Sequence, residues 1–164
     1  MLSLIFSPQT LFKFMQHLKE KLLQKCFQTI ENQLLMIEKG IAEAQAAANE
    51  DTKSSAGDKY ETTRAMMQIE IENLSKRLAD AQKLLQILQQ IVMQQHYTTA
   101  VIGAVVATTQ GNYFIAVGIG KVTIEGIDFF VVSPQSPIGA KLHHTKVQDT
   151  ISFNGKKFTI TAIY

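Results

Sequence analysis

Tryptophan is absent, cysteine occurs once, and the three prolines are Pro8, Pro134 and Pro137, so none falls between Leu11 and Ser133. The single thiol, Cys26, cannot close an intramolecular disulfide, which fits a reducing compartment better than a disulfide-stapled scaffold. Without proline, nothing blocks long helices ahead of the second half of the chain. Apolar runs are short as well. None approaches the roughly 18 to 20 residues a membrane-spanning helix needs, and the longest, Ala100 to Ala107, reads as a buried strand. The opening Met1-Leu-Ser-Leu-Ile-Phe-Ser lacks a basic n-region and a small-residue cleavage site, so no signal peptide is expected and the chain is assigned to the cytoplasm.

Charge is also sparse. Charged residues make up 18% of the 164, the formal net charge is +2, hydrophobic residues reach 46%, and the mean hydropathy is +0.03. That is the composition of an ordered protein with one core or two small ones, and it excludes disordered, collagen-like and mucin-like chains. With no basic run of five and no aromatic-plus-basic motif, a dedicated DNA or RNA reader is not expected.

What charge there is divides the chain. Residues 1–96 hold 11 Lys+Arg and 11 Asp+Glu, residues 97–164 only 5 and 3. Glutamine, leucine, lysine, glutamate and alanine dominate the first part, whereas Val, Ile, Thr, Phe and Gly take over beyond Tyr97. The first composition favours helix, the second strand and turn.

In the first part Leu23, Phe27, Ile30, Leu34, Ile37, Ile41, Ala44 and Ala48 follow a 4-3-4-3 spacing, and so do Met67, Ile71, Leu74, Leu78, Ala81, Leu85, Leu88 and Val92. Each set is an apolar a/d seam. Asn49 to Lys59, rich in Ser, Asp, Asn and Gly, carries no such period and reads as a polar tip joining two antiparallel helices. We therefore expect a coiled-coil hairpin over 15–96 with its tip at about 49–59. Residues 1–14 stand apart as an N-terminal extension or a short apolar cap, and the sequence leaves both open.

Residues 97–164 predict strands at about Ala100 to Thr108, Tyr113 to Val117, Gly120 to Glu125, Phe129 to Ser133, Thr150 to Phe153 and Lys157 to Ile163. Gln110-Gly111-Asn112, Gly126 and Asn154-Gly155 supply hairpin turns, the last being the strongest short hairpin signal in the chain. Ser136-Pro137 before Ile138-Gly139-Ala140-Lys141-Leu142 predicts a capped short helix. The fold class is α+β: a helical hairpin, then a small antiparallel sheet with one short helix.

The stretch from Ser133 to Ile163, with Ser136-Pro137-Ile138-Gly139 at its centre and Lys146-Val147-Gln148-Asp149 as a later turn, resembles the C-terminal domain of the bacterial Gre (GreA/GreB-type) transcript-cleavage factors. In that family the turn carries glycine where this chain has Gln148. The preceding hairpin matches the family in order, so the resemblance spans nearly everything from about residue 15. It implies an FKBP-like sheet domain that docks on RNA polymerase, with Ser136, Pro137, Ile138 and Gly139 as docking candidates, and a hairpin tip that enters the secondary channel. It implies no catalytic site in the chain itself: the polymerase performs the chemistry, and magnesium is shared with its active site. Nucleic acid would be met only through the polymerase, and the chain would act as a monomer.

The family tip resembles Gly-Asp-Leu-Ser-Glu-Asn-Ala-Glu-Tyr. Here Asp51 and Tyr60 match its Asp and Tyr once one residue is inserted, and its Glu falls on Ser54 or Ser55. Glu50, Asp51, Asp58 and Glu61 nonetheless place four carboxylates within twelve residues. Magnesium takes hard oxygen ligands, often only one or two carboxylates from a protein, so these residues could assist a metal held by a partner. The alternative is ordinary capping, with Asp58 placed to favour the positive end of the second helix. Two functional versions follow from the resemblance: stimulation of cleavage, or occupation of the channel without it. A chaperone of FKBP type and a coiled-coil adaptor are readings of other classes.

Other residues carry less. Adjacent His143 and His144 lack a third metal ligand at suitable spacing. Cys26 and His17, nine residues apart, fall on different faces of one helix and make no nucleophile pair. Gly118-Ile119-Gly120 lacks the third glycine and the following helix of a dinucleotide loop. Met66-Met67 and Phe129-Phe130 read as core or interface material.

Overall fold

The structure, a computed structural model, describes residues 8–50 and 57–164, with only the backbone at 8, 50 and 58–60. Its elements are α1 (Pro8–Glu50), α2 (Gly57–Gln89), β1 (Val105–Thr108), β2 (Gly111–Ile115), β3 (Gly120–Ile124), β4 (Ile127–Val132), α3 (Pro137–Leu142), β5 (Thr150–Phe153) and β6 (Lys156–Ile163). The class is α+β, two long packed helices forming a hairpin and then a six-stranded sheet with one short helix. Contacts divide the chain into two compact units: the described residues up to Phe27 with Ile87–Tyr164, and Gln28–Gln86.

The helical unit follows the seams. Ile37, Leu74 and Ala81 are buried together, with Leu34, Ile41 and Leu78 packed against them. Burying a side chain of this size contributes about 1.5–3 kcal/mol. Gly40 lets the helices approach, since a methyl there would sit 3.2 Å from Leu74 Cδ1. The regular pattern begins at Met15, yet α1 starts at Pro8, because proline suits a first helical turn whose N–H groups have no partner anyway. At the other end α2 stops at Gln89, so Val92 leaves the seam and is 57% exposed while Ile91 is buried. The last turn tightens there, with Gln90 N–H donating to Ile87 O and Ile91 N–H to Leu88 O.

The sheet order is β3-β4-β2-β1-β6-β5. Four neighbouring pairs are antiparallel, but β2 and β4 run parallel, Asn112 beside Phe129 through Ile115 beside Val132. The sheet is therefore mixed, not wholly antiparallel as the turn chemistry suggests. The parallel pair arises because β3 lies at the edge and hairpins back to lay β4 against β2. Asn154-Gly155 does join β5 to β6, both residues having positive φ (49° and 74°), and Glu125-Gly126 makes the same kind of turn between β3 and β4 (50° and 80°). The β1–β2 loop is Thr109-Gln110, one residue earlier than expected, and Gly111 already belongs to β2. The strand expected from Ala100 begins only at Val105: Gly103 has φ +91° and the preceding backbone bonds sideways, Ala100 N–H to Thr145 O and His144 N–H to Ala100 O.

One core of the sheet unit gathers Val106, Tyr113, Ile115, Leu142, Phe158 and Ile160 with Tyr97, Ala100 and Ala104. Leu142 carries α3 into that core and so fixes the short helix over the sheet.

Candidate functional site

The Ser136–Gly139 motif forms one interlocked turn. Ser136, in extended conformation, is the N-cap of α3: its Oγ accepts from Gly139 N–H at 3.1 Å and donates to Ser133 O at 2.7 Å. Pro137 opens the helix, where its missing N–H costs nothing. Gly139 is demanded by space, since a methyl there would lie 1.9 Å from Ser133 O and 2.9 Å from Ser133 C. The sequence thus writes serine, proline and glycine at positions where cap, entry angle and close approach each require that residue.

The second motif residues build the turn before β5. Asp149 Oδ2 accepts from Lys146 N–H at 2.7 Å, and Asp149 N–H donates to Lys146 O at 3.1 Å. Gln148 sits at φ +76° and is held by its N–H donating to Ile160 O at 2.9 Å. It adopts the left-handed conformation that glycine takes without strain.

Ile138 of α3 also lines a cavity of about 340 Å³ beside Tyr113, Phe130, Phe153, Phe158 and Lys156. Tyr113 and Phe158 are core residues that present one side to this space, with rings 6.3 Å apart edge to face. An aromatic-lined pocket was not legible in the sequence, which scatters these residues over four strands. Phe129 and Phe130 diverge as strand neighbours must: Phe129 is buried and Phe130 is 38% exposed.

The tip carboxylates are not brought together by any described contact. Asp51 and the serines at 54 and 55 lie outside the described residues, as do the side chains of Glu50, Asp58 and Tyr60; Glu61 is exposed on α2. No group of three or more His, Cys, Asp or Glu able to hold a metal occurs among the described residues, and no helix among them is long and apolar enough to cross a membrane.

Charge interactions elsewhere were invisible to local pattern. At the β3–β4 turn Glu125 accepts from Lys21 Nζ at 2.5 Å and meets His17 Nε2 at 3.1 Å, so two residues one turn apart on α1 grip one carboxylate. Lys21 and then His17 hold its pKa below the ordinary carboxylate value. Lys19 is 2% exposed, its Nζ has no hydrogen-bond partner, and it lies 4.2 Å from the centroid of the Tyr97 ring. Burial lowers its pKa to about 8. Cys26 is fully buried and its thiol is pushed up to about 12, which makes it an inert core residue. His143 and His144 fall beyond α3, not on it, and their rings lie 3.8 Å apart because His144 takes φ +65°. His143 is held below the ordinary imidazole pKa by burial and then by its neighbour.

Compared with known proteins, the chain matches no family model, no curated protein and no solved structure.

Proposed function

We propose that this chain regulates transcription elongation in the manner of the Gre factors: it binds RNA polymerase, places its hairpin tip in the secondary channel, and performs no chemistry of its own. The observation that carries the reading is the Ser136–Gly139 turn, in which the resemblance falls on residues that the local geometry requires, within a chain that orders hairpin before sheet. Ser136, Pro137, Ile138 and Gly139 are the proposed docking residues. Glu50, Asp51, Asp58 and Glu61 are the proposed tip residues. Any magnesium belongs to the polymerase, where it supplies Lewis acidity for phosphodiester cleavage, and a tip carboxylate would orient that ion or its water.

A serine, Ser54 or Ser55, standing where the family has Glu supports the version in which the tip occupies the channel and tunes synthesis. The double variant Asp51→Ala/Asp58→Ala separates the two versions. Retained polymerase binding with lost RNA shortening is the outcome of a cleavage factor, and retained binding with unchanged slowing of synthesis is that of a channel occupant. Absence of polymerase binding by the unaltered chain overturns both.

A further inference from the structure

We propose that the space between the start of α1 and the sheet is a binding site for a small, uncharged aromatic molecule carrying one hydrogen-bond donor. This does not depend on the polymerase reading. Residues paired directly across neighbouring strands share one face of a sheet, and Phe129, Asn112, Ala107 and Ala162 form such a row over β4, β2, β1 and β6. It lies on the face opposite Val106 and Tyr113, which point into the core described above. Leu11, Met15 and Leu18, spaced i, i+4, i+7 and so on one face of α1, line the same cavity as that row. Alanine at two adjoining floor positions is too short to fill the gap, and about 320 Å³ is left open. Folded interiors hold few voids larger than a water, for which roughly 10–15 Å³ is enough, whereas this space reaches the size of a ligand site.

The lining sets the class of ligand. No Lys, Arg, His, Asp or Glu side chain borders the cavity, so a charged molecule would shed its hydration there without gaining a counter-charge. Its polar groups are few and mostly engaged. Thr108 Oγ1 donates to Gly111 O at 2.8 Å and accepts from Gln110 N–H at 3.1 Å, and the Tyr164 carbonyl oxygen accepts from Val105 N–H at 2.9 Å. Asn112 differs: its Nδ2 donates to Asp128 O at 3.3 Å, which leaves Oδ1 to accept from a ligand. Shape narrows the class further. A helix face over a flat alanine floor bounds a slab, and the Phe129 ring and the Met15 thioether both favour contact with a planar aromatic ring.

The test is an NMR titration of the full chain with indole as the probe. Saturable shifts centred on Leu11, Met15, Ala107 and Phe129 are expected, with a dissociation constant of about 1 mM or below. Benzothiophene, of the same shape but without the N–H, should bind about fivefold more weakly. Asn112→Ala should abolish that difference, a readout that a merely structural asparagine would not move. Indole-3-acetate and tryptamine, of opposite charge, should each bind about fivefold or more weakly than indole. Ala107→Val and Ala162→Val raise the floor with a residue suited to a strand, and each should weaken indole about tenfold while the remaining spectrum stays in place. Should a valine variant fail to fold, the benzothiophene comparison in Asn112→Ala still decides. The proposal is overturned if folded valine variants bind indole within twofold of the parent, if indole and its charged analogues bind alike, or if shifts fall outside the cavity. It is equally overturned if Leu11 and Met15 show contacts to residues 1–7 in the free protein, which would make the chain itself the occupant.

Discussion

Gly139→Ala perturbs the Ser136–Gly139 turn, and the local geometry sets its cost. The added methyl would stand 1.9 Å from Ser133 O, 2.7 Å from Ser136 Oγ and 2.9 Å from Ser133 C. Comfortable contact requires more than 3 Å, so the helix start and the Ser133 carbonyl must separate by roughly 1 Å or more. Both are backbone, and neither can swing aside as a flexible side chain does. The same carbonyl accepts from Ser136 N–H at 3.0 Å and from Ser136 Oγ at 2.7 Å, so the displacement also breaks the cap. Overpacking costs about 1–3 kcal/mol, and loss of an N-cap about 1 kcal/mol. Gly139→Ala should therefore lose about 2–4 kcal/mol in urea unfolding, and Ser136→Ala about 1 kcal/mol. Gly155→Ala is the control, because nothing lies within 4 Å of its added methyl and its φ of +74° leaves only the left-handed penalty, about 1 kcal/mol. If Gly139→Ala costs no more than Gly155→Ala, the close-approach argument for this motif is wrong.

Gln148→Gly should stabilise the protein by about 0.5 kcal/mol, since relief of the strained φ of +76° outweighs the extra freedom of glycine in the unfolded chain; chemical denaturation measures it, and a loss of stability contradicts the reading. Lys19→Met should stabilise on the order of 1 kcal/mol at pH 7 by replacing a buried amine that has no hydrogen bond with an apolar chain of similar length, the lost contact of the amine with the Tyr97 ring offsetting part of the gain. Because burial lowers the folded-state pKa to about 8 from 10.5, the folded protein binds fewer protons here, so stability rises with pH across that window and the advantage of Lys19→Met shrinks from pH 8 to 10.5. Glu125 has the opposite sense: its lowered pKa stabilises above the unfolded value of 4.5 and is lost as pH falls through the folded one, so Glu125→Gln should be less stable than the parent near neutrality and equal to it in acid, as followed by thermal melts from pH 7 to 3.

Period and turn chemistry are local, and what they encode was legible. The 4-3 spacing marks Ile37, Leu74 and Ala81 as buried neighbours, Asn154-Gly155 marks the β5–β6 hairpin, and Ser136-Pro137 marks the start of α3. Pairing between strands distant in sequence is not local, and so the parallel β2–β4 contact went unread, as did the cavity assembled from Tyr113, Phe130, Phe153 and Phe158. The same holds for the grip of His17 and Lys21 on Glu125, more than a hundred residues away in the chain. Val92 shows a different limit. The heptad continues through it in sequence, but the helix has ended at Gln89, and the chain turns Ile91 inward in its place.

Whether the chain acts on RNA polymerase is decided by incubating it in full with a magnesium-supplied, backtracked elongation complex and reading RNA lengths before and after nucleotide addition. The expected result is either shortened RNA that can be extended, the mark of a cleavage factor, or uncut RNA whose extension is slowed, the mark of a channel occupant. RNA unchanged in both length and extension rate would contradict it.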